Sequence, residues 1–242
     1  MLIITGMHRS GTSLVAQLLR ELGADFGPDE LLWEADRWNV NGYLERREVV
    51  DFNSRLLTGF NRTTSRVAAT LSQASYLRMP KPAVLDKRAD KCAEKLQLIR
   101  QRVDGLAVKD PRFCLTIRHW QRVAPVVGVV VVIRHPSASV ASLVARNKIP
   151  SNLGFRFWTW HMIELLKSLT DDAVVVRHAD LLGPNPAAVI DRLAPMASLV
   201  GSGRVAGDAL SLLDPTLVHH AVDDSQVPIE ARRVWEQWLD RC

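Results

Sequence analysis

A short loop near the amino terminus combines glycines, hydroxyls and an arginine at a spacing that favours anion binding. Residues 6–13 read GMHRSGTS; they follow the apolar run 2–5 and precede an apolar helical pattern. The backbone N–H groups at the start of a helix are unpaired and lie at the positive end of the helix dipole, so an anion binds there. The loop has the glycine spacing of the nucleotide P-loop, but Thr12 occupies the place of the lysine and Arg9 supplies the charge. An ordinary strand-to-helix turn without a ligand is the alternative.

A second arginine follows a different apolar run. Residues 129–133 are VVVVI and predict a buried parallel strand. Arg134 stands at its carboxyl end, where ligands of open α/β sheets bind, and Ser142 follows eight residues later within a predicted helix. The two residues are therefore placed to share a phosphate. The alternative is a surface arginine at the start of a helix.

Two further segments supply a lysine and carboxylates. Lys109 and Asp110 end the apolar run 106–109, and Pro111 keeps the residue before it out of helical geometry, so we expect both side chains to face the same crevice. Glu45 lies in a turn-rich stretch ahead of a helical run. A partly buried carboxylate within about 3 Å of a hydroxyl can act as a general base. A glutamate that only favours the helix dipole is the alternative.

Together, these segments resemble those of the sulfotransferases that use 3′-phosphoadenosine 5′-phosphosulfate (PAPS). The resemblance rests on the loop, the Arg-x7-Ser spacing, the Lys-Asp-Pro tripeptide and the stretch 39–45, NVNGYLE, and it covers about the first 150 residues. It implies the sulfotransferase form of the P-loop NTPase-like fold. That fold is a three-layer α/β/α arrangement with a central parallel sheet.

The resemblance also implies roles for individual residues. Those expected at the 5′-phosphosulfate are His8, Arg9, Ser10, Gly11, Thr12 and Ser13, and those expected at the 3′-phosphate are Arg134 and Ser142. Glu45 would be the general base, with Asp110 in reserve, while Lys109 and Arg9 would stabilise charge on the departing phosphate. The implied reaction transfers a sulfonate in line to an acceptor hydroxyl, leaves 3′,5′-bisphosphoadenosine and needs no metal. The Lys-x-His segment of the cytosolic small-molecule enzymes is absent here.

Two other functions stay open at this point. A P-loop kinase of small molecules would use magnesium-ATP, with Asp86 or Asp110 at the metal, although the P-loop lysine is missing. A non-catalytic nucleotide-binding module would keep the anion loop and lose the acceptor chemistry. The presence of both Glu45 and Lys109 argues against that loss.

Length and composition favour one enzyme domain over residues 1–242. The chain is 47% hydrophobic, and its 31 Lys and Arg against 26 Asp and Glu give a net charge of +5, which suits an anionic cosubstrate. No lysine-rich tail or aromatic stripe indicates nucleic-acid binding. Three widely spaced cysteines argue against a disulfide framework, and the histidines, His219-His220 included, show no zinc-like pairing with them.

Apolar periodicity predicts alternating strands and helices. The predicted strands are 2–5, 106–109, 127–133 and 173–177, and the predicted helices are 12–22, 46–58, 89–102, 113–122, 138–147, 153–169, 187–197 and 228–240. Residues 59–88 and 198–227 lack a clear period and are expected to be peripheral loops.

Location and acceptor are predicted only in outline. Met1 directly precedes the first strand, and no apolar run approaches the roughly 20 residues of a membrane span, so we expect a cytoplasmic, bacterial-type enzyme. The expected acceptor is a carbohydrate or a small hydroxylated metabolite, and the oligomeric state is not determined. Candidate aromatic residues for the acceptor pocket are Trp33, Trp38, Tyr43, Trp158 and Trp160, of which the last two also fit a helix packed on the core.

Overall fold

Four parallel strands form the central sheet of the described part of the chain. The computed structural model describes residues 1–35, 42–60, 79–201, 209–213 and 222–242. The strands are β1 (Leu2–Thr5), β2 (Ala107–Lys109), β3 (Gly128–Ile133) and β4 (Val174–Arg177), and they lie in the order β2-β1-β3-β4. Leu2 pairs with Ala107 on one side and Gly128 on the other. The predicted strands are confirmed to within one residue at each end.

In the described residues, helices connect these strands and follow the last of them. They are α1 (Thr12–Glu21), α2 (Arg47–Thr58), α3 (Pro82–Lys91), α4 (Ala93–Arg102), α5 (Phe113–Gln121), α6 (Pro136–Asn147), α7 (Ser151–Leu166), α8 (His178–Leu181), α9 (Pro186–Ser198) and α10 (Ile229–Leu239). None of the described helices is long and apolar enough to cross a membrane.

The sheet separates two apolar layers, as the alternation of side chains along a strand requires. Ile3 and Val131 face the layer that includes α2, α5, α7 and α10. Leu2 and Val130 face the opposite layer, which is formed by α1, α8 and α9. The fold is therefore a three-layer α/β/α arrangement around a parallel sheet, as the sequence predicts.

The segment 79–102 differs from the prediction. The expected single helix 89–102 is two helices, α3 and α4, which meet at Cys92, whose backbone leaves helical geometry at φ −117°. The expected loop 59–88 therefore ends in the helical residues of α3. Only Leu85 and Ala89 of α3 are buried, so its apolar period is too weak to detect, although Pro82 at its first turn is a typical helix-start residue. The rest of the two predicted loops lies largely outside the described residues.

All four strands end at the same edge of the sheet, because a parallel sheet orients every strand alike. The loop 6–11 follows β1, Asp110 follows β2, Arg134 follows β3 and His178 follows β4. Segments that are far apart in the sequence therefore meet at this carboxyl edge. It is the position where open α/β sheets bind their ligands.

One histidine is fully enclosed in the layer formed by α7. His161 is 0% exposed, and its Nδ1–H donates to the Phe157 carbonyl oxygen at 2.7 Å. Burial, together with the nearby positive charge of Arg112, lowers the pKa of His161 to about 3. The imidazole is therefore neutral in the folded protein at all ordinary pH values.

We expect Gly6→Ala to destabilise the protein by about 2–4 kcal/mol. Gly6 leaves β1 at φ 150°, and a Cβ there would collide with the Val132 backbone carbonyl oxygen. Gly105→Ala is the control, since Gly105 also has a positive φ, 72°, but open space around its Cα; it should lose only about 1–2 kcal/mol. Urea unfolding measures both values, and equal losses would contradict the steric explanation.

We expect His161→Phe to flatten the pH dependence of stability. The folded-state pKa of about 3 lies below the ordinary value of 6.5, so the contribution of His161 is complete above pH 6.5 and is lost as the pH falls towards 3. By about pH 5 the wild type should have lost about 2 kcal/mol through this residue. Between pH 7.5 and pH 5, the free energy of unfolding should fall by about 2 kcal/mol more in the wild type than in the variant. Identical changes would contradict the assignment.

Candidate active site

The loop after β1 takes the shape of an anion cradle. Its backbone turns through left-handed residues, with φ 70° at Arg9 and 95° at Gly11, and Gly11 is the N-cap of α1. The first helical hydrogen bond runs from the Val15 N–H to the Gly11 carbonyl oxygen, at 3.2 Å. The N–H groups before it therefore have no partner within the helix and are directed out of its amino-terminal end.

Ser10 adds an observation that fits a bound anion. Its hydroxyl is buried, at 1% exposure, and no described residue forms a hydrogen bond with its Oγ. Most buried hydroxyls have a partner, and a phosphosulfate oxygen at the loop would supply one. The side chains expected at the 5′-phosphosulfate thus lie together in one loop.

Arg9 and Arg134 lie beside each other at the carboxyl edge. The Arg9 Nε–H donates to Ser142 Oγ at 3.0 Å, and the Arg134 guanidinium donates to the Arg9 carbonyl oxygen at 3.2 Å. Burial and the charge of Arg9 lower the pKa of Arg134, and no described carboxylate forms an ion pair with Arg134. Two adjacent guanidinium groups and a hydroxyl therefore form a site that an added anion would stabilise electrostatically.

Lys109 and Glu45 form a second group beside the loop. The Lys109 Nζ donates to Glu45 Oε1 at 2.7 Å and to Ser13 Oγ at 3.2 Å, and the ammonium is 1% exposed. The Tyr43 ring lies 5.6 Å from the same ammonium. The other carboxylate oxygen of Glu45 is 3.9 Å from the Arg112 guanidinium. The structure thus brings Glu45, Lys109 and the loop together across segments up to 96 residues apart.

The two carboxylates considered for other roles are engaged elsewhere. Asp110 is 0% exposed and accepts hydrogen bonds from Arg112 and Asn53. Asp86 accepts a bond of 2.9 Å from Arg118 in the second half of α5. Asp110 therefore cannot reach an acceptor hydroxyl without breaking its buried contacts. Among the described residues, no group of three His, Cys, Asp or Glu side chains has the geometry of a metal site.

The candidate pocket aromatics divide between core and site. Trp158 is 0% exposed in the core, which is the second of the two roles that the sequence leaves open for it; the Trp160 ring packs edge-on to the buried His161. Trp33 is half-buried, and its backbone N–H donates to the Glu45 carbonyl oxygen at 2.8 Å. Tyr43 lies beside Lys109. Trp38 and residues 39–41 of the predicted motif lie outside the described residues.

Three side chains at this edge were not predicted from the sequence. His178, which follows β4, packs against the loop so closely that a Cβ on Gly11 would lie 2.5 Å from its ring. Burial and the charge of Arg134 lower the pKa of His178 to about 4. His178 directly follows a strand, and that same position is the signal by which the sequence analysis selected Arg134. Arg112 directly follows the Lys-Asp-Pro tripeptide, whereas Asn53 lies in the middle of α2 and carries no local signal.

Comparisons with known proteins agree with the fold. The sulfotransferase domain of the olefin synthase from Synechococcus PCC 7002 is 16% identical, with a TM-score of 0.52 over 99% of this chain and 94% of that one. Sulfotransferase STF9 from Mycobacterium avium is 13% identical, with a TM-score of 0.53 over 100% of this chain and 76% of that one. Likeness at such low identity shows a shared fold. No curated protein matches the sequence.

The family itself is shown by the sequence profile. A profile described as the sulfotransferase family matches residues 2–176, which include β1, β2, β3, most of β4 and the site residues described above except His178. The chain belongs to the sulfotransferase family.

Proposed function

We propose that this protein transfers the sulfonate group of PAPS to an acceptor hydroxyl. One observation carries the proposal. The carboxyl edge of the sheet places an anion loop and the Arg9–Arg134 pair beside a buried lysine in contact with a carboxylate. The loop with Arg9 suits the 5′-phosphosulfate of PAPS, Arg134 suits its 3′-phosphate, and the carboxylate suits the proton of the acceptor.

Each group has a distinct role in this proposal. Residues 8–13 hold the 5′-phosphosulfate, and Arg134 and Ser142 hold the 3′-phosphate. The acceptor oxygen attacks sulfur as the bond between sulfur and the bridging oxygen breaks, and Glu45 takes the acceptor proton. Arg9, Lys109 and the loop amides stabilise the negative charge that moves to the departing phosphate. Most of the rate acceleration then comes from positioning and from electrostatics that are arranged in advance.

The proposed acceptor is a carbohydrate or a small hydroxylated metabolite. Tyr43 supports this, because it lies between Lys109 and the Arg146 guanidinium, which donates to its hydroxyl at 3.3 Å. An aromatic face with a fixed polar end suits a ring that bears hydroxyl groups.

Calorimetric titration with 3′,5′-bisphosphoadenosine, beside magnesium-ATP, tests the proposed cosubstrate. We expect dissociation constants in the micromolar range for the bisphosphate, about 10-fold or more below those for magnesium-ATP, because two anionic ends engage two cationic positions. A preference for magnesium-ATP would indicate a kinase. Binding of neither would indicate a module without this chemistry.

We expect Glu45→Gln to reduce sulfonate transfer by about 10²-fold or more and to leave bisphosphate affinity nearly unchanged. The amide cannot take the acceptor proton, whereas the phosphate sites are separate side chains. Labelled PAPS, with a panel of hydroxyl compounds and water as acceptors, measures transfer. An unchanged rate would remove Glu45 from the role of base.

We expect Arg134→Ala to weaken binding of 3′,5′-bisphosphoadenosine by roughly 10- to 100-fold, the value of a charge-assisted hydrogen bond to phosphate. Adenosine 5′-phosphate should lose little affinity, because it lacks the 3′-phosphate. Arg20→Ala is the control, since Arg20 pairs with Asp29 on the surface, at 2.9 Å. Equal binding of both nucleotides by the wild type would contradict the assignment.

A further inference from the structure

We propose that Asn53, Asp110 and Arg112 form a positioning unit that sets the orientation of the Glu45 carboxylate. The inference rests on the proposed function, in which Glu45 is the base. None of the three is assigned to substrate; each acts through a neighbour. The unit links the middle of α2 to the carboxyl end of β2 and the start of α5.

The donors around Asn53 determine how its amide is turned. Its Oδ1 accepts from the Trp120 indole N–H at 2.9 Å and from the Thr116 hydroxyl at 3.0 Å. An indole nitrogen can only donate, so the oxygen of the amide must face Trp120. The Nδ2 group consequently faces Asp110 and donates to its Oδ2 at 2.9 Å.

Asp110 is held in one position by donors from three sides. Its Oδ1 accepts from the Arg112 backbone N–H at 2.9 Å and from the Arg112 guanidinium at 2.8 Å, while its Oδ2 is bound by Asn53. Its own carbonyl oxygen accepts from Thr5 Oγ1 at 3.1 Å. A fully buried carboxylate with these donors is held in one orientation and in turn fixes the guanidinium that it binds.

Arg112 connects this unit to the proposed base. Its Nη1 is 2.8 Å from Asp110 Oδ1 and 3.9 Å from Glu45 Oε2, while Lys109 holds Glu45 Oε1 at 2.7 Å. Each carboxylate oxygen of Glu45 therefore faces a different cation. If Asp110 did not hold it, the guanidinium could swing towards Glu45 and turn the carboxylate away from the orientation seen here.

Asn53→Asp tests the unit because protonation of the introduced carboxyl restores the wild-type bonds. At low pH the protonated group donates to Asp110 and accepts from Trp120, as the amide does. At high pH two buried carboxylates repel each other and draw Arg112 away from Glu45. We expect turnover that is within about twofold of wild type at low pH and 10- to 100-fold lower at high pH. The affinity for 3′,5′-bisphosphoadenosine should be unchanged.

Two titratable groups near the unit, His161 and Cys114, do not titrate in the pH range of this test. Burial and the charge of Arg112 lower the pKa of His161 to about 3. Burial and the charge of Asp110 raise the pKa of Cys114 to about 12. Among the described residues, the resolved contacts also place Glu45 against Arg112 and Lys109 against Glu45, and both groups are equally present in the wild type. A new transition between about pH 5 and pH 9 in the variant therefore reports the introduced carboxyl.

A second measurement needs no acceptor. The carboxyl ¹³C signal of Glu45, identified by its loss in Glu45→Gln, should move with pH in Asn53→Asp along the same transition as turnover. If Asn53→Asp does not fold, Asp110→Asn replaces it in the test. The Glu45 signal of Asp110→Asn should be displaced from the wild-type position at every pH. Thr58→Val is the control on α2, because Thr58 is five residues along the helix from Asn53 and its hydroxyl donates to the Ser54 carbonyl oxygen of the same helix at 2.7 Å.

The outcomes separate the positioning unit from the proposed function. A pH-dependent loss of turnover that the Glu45 signal follows, with bisphosphate affinity constant, would support the unit. A Glu45 signal identical to wild type in both variants, or a turnover loss matched by an equal loss of affinity, would overturn it. Displaced signals in a protein that transfers no sulfonate from PAPS would support the unit as a geometric device and overturn the proposed function alone.

Discussion

The buried ion pair between Lys109 and Glu45 joins three segments of the candidate site. The Lys109 ammonium is 1% exposed, and it contacts Glu45 Oε1 at 2.7 Å and Ser13 Oγ at 3.2 Å. Removing a charge from water is costly, so such an ammonium is stable only where its partners are held in place. This requirement joins the end of β2, the segment before α2 and the first turn of α1, and the other site residues are arranged around that junction.

The cations at the carboxyl edge divide into two groups. Lys109 and Arg112 are in contact with carboxylates, whereas Arg134 donates to a backbone carbonyl and is destabilised by burial beside Arg9. Lys109 and Arg112 suit the proposed chemistry of proton and charge transfer, because their carboxylate partners already hold them in place. The second group suits binding, because an incoming anion would relieve the repulsion between the guanidinium groups.

The fold tolerates large changes of sequence. Bacterial sulfotransferase domains with 13–16% identity have the same architecture. Strand ends and loops at the carboxyl edge carry the functional side chains, while the layers behind them require only apolar residues of suitable size. The acceptor class proposed above therefore depends on side chains such as Tyr43 and not on the sheet.

The sequence alone determined the features that depend on neighbours along the chain. The loop 6–13, the four strands and the residues after two of them are recognisable because anion loops and apolar runs are local patterns. The division of 79–102 into two helices was missed, because so few of its residues face the core. Only the tertiary structure decided that Trp158 is a core residue and that Asp110 is enclosed by Arg112 and Asn53. Those outcomes depend on contacts such as that between Asn53 and Asp110, which are 57 residues apart, and local periodicity carries no information about which distant side chain will complete a buried hydrogen bond.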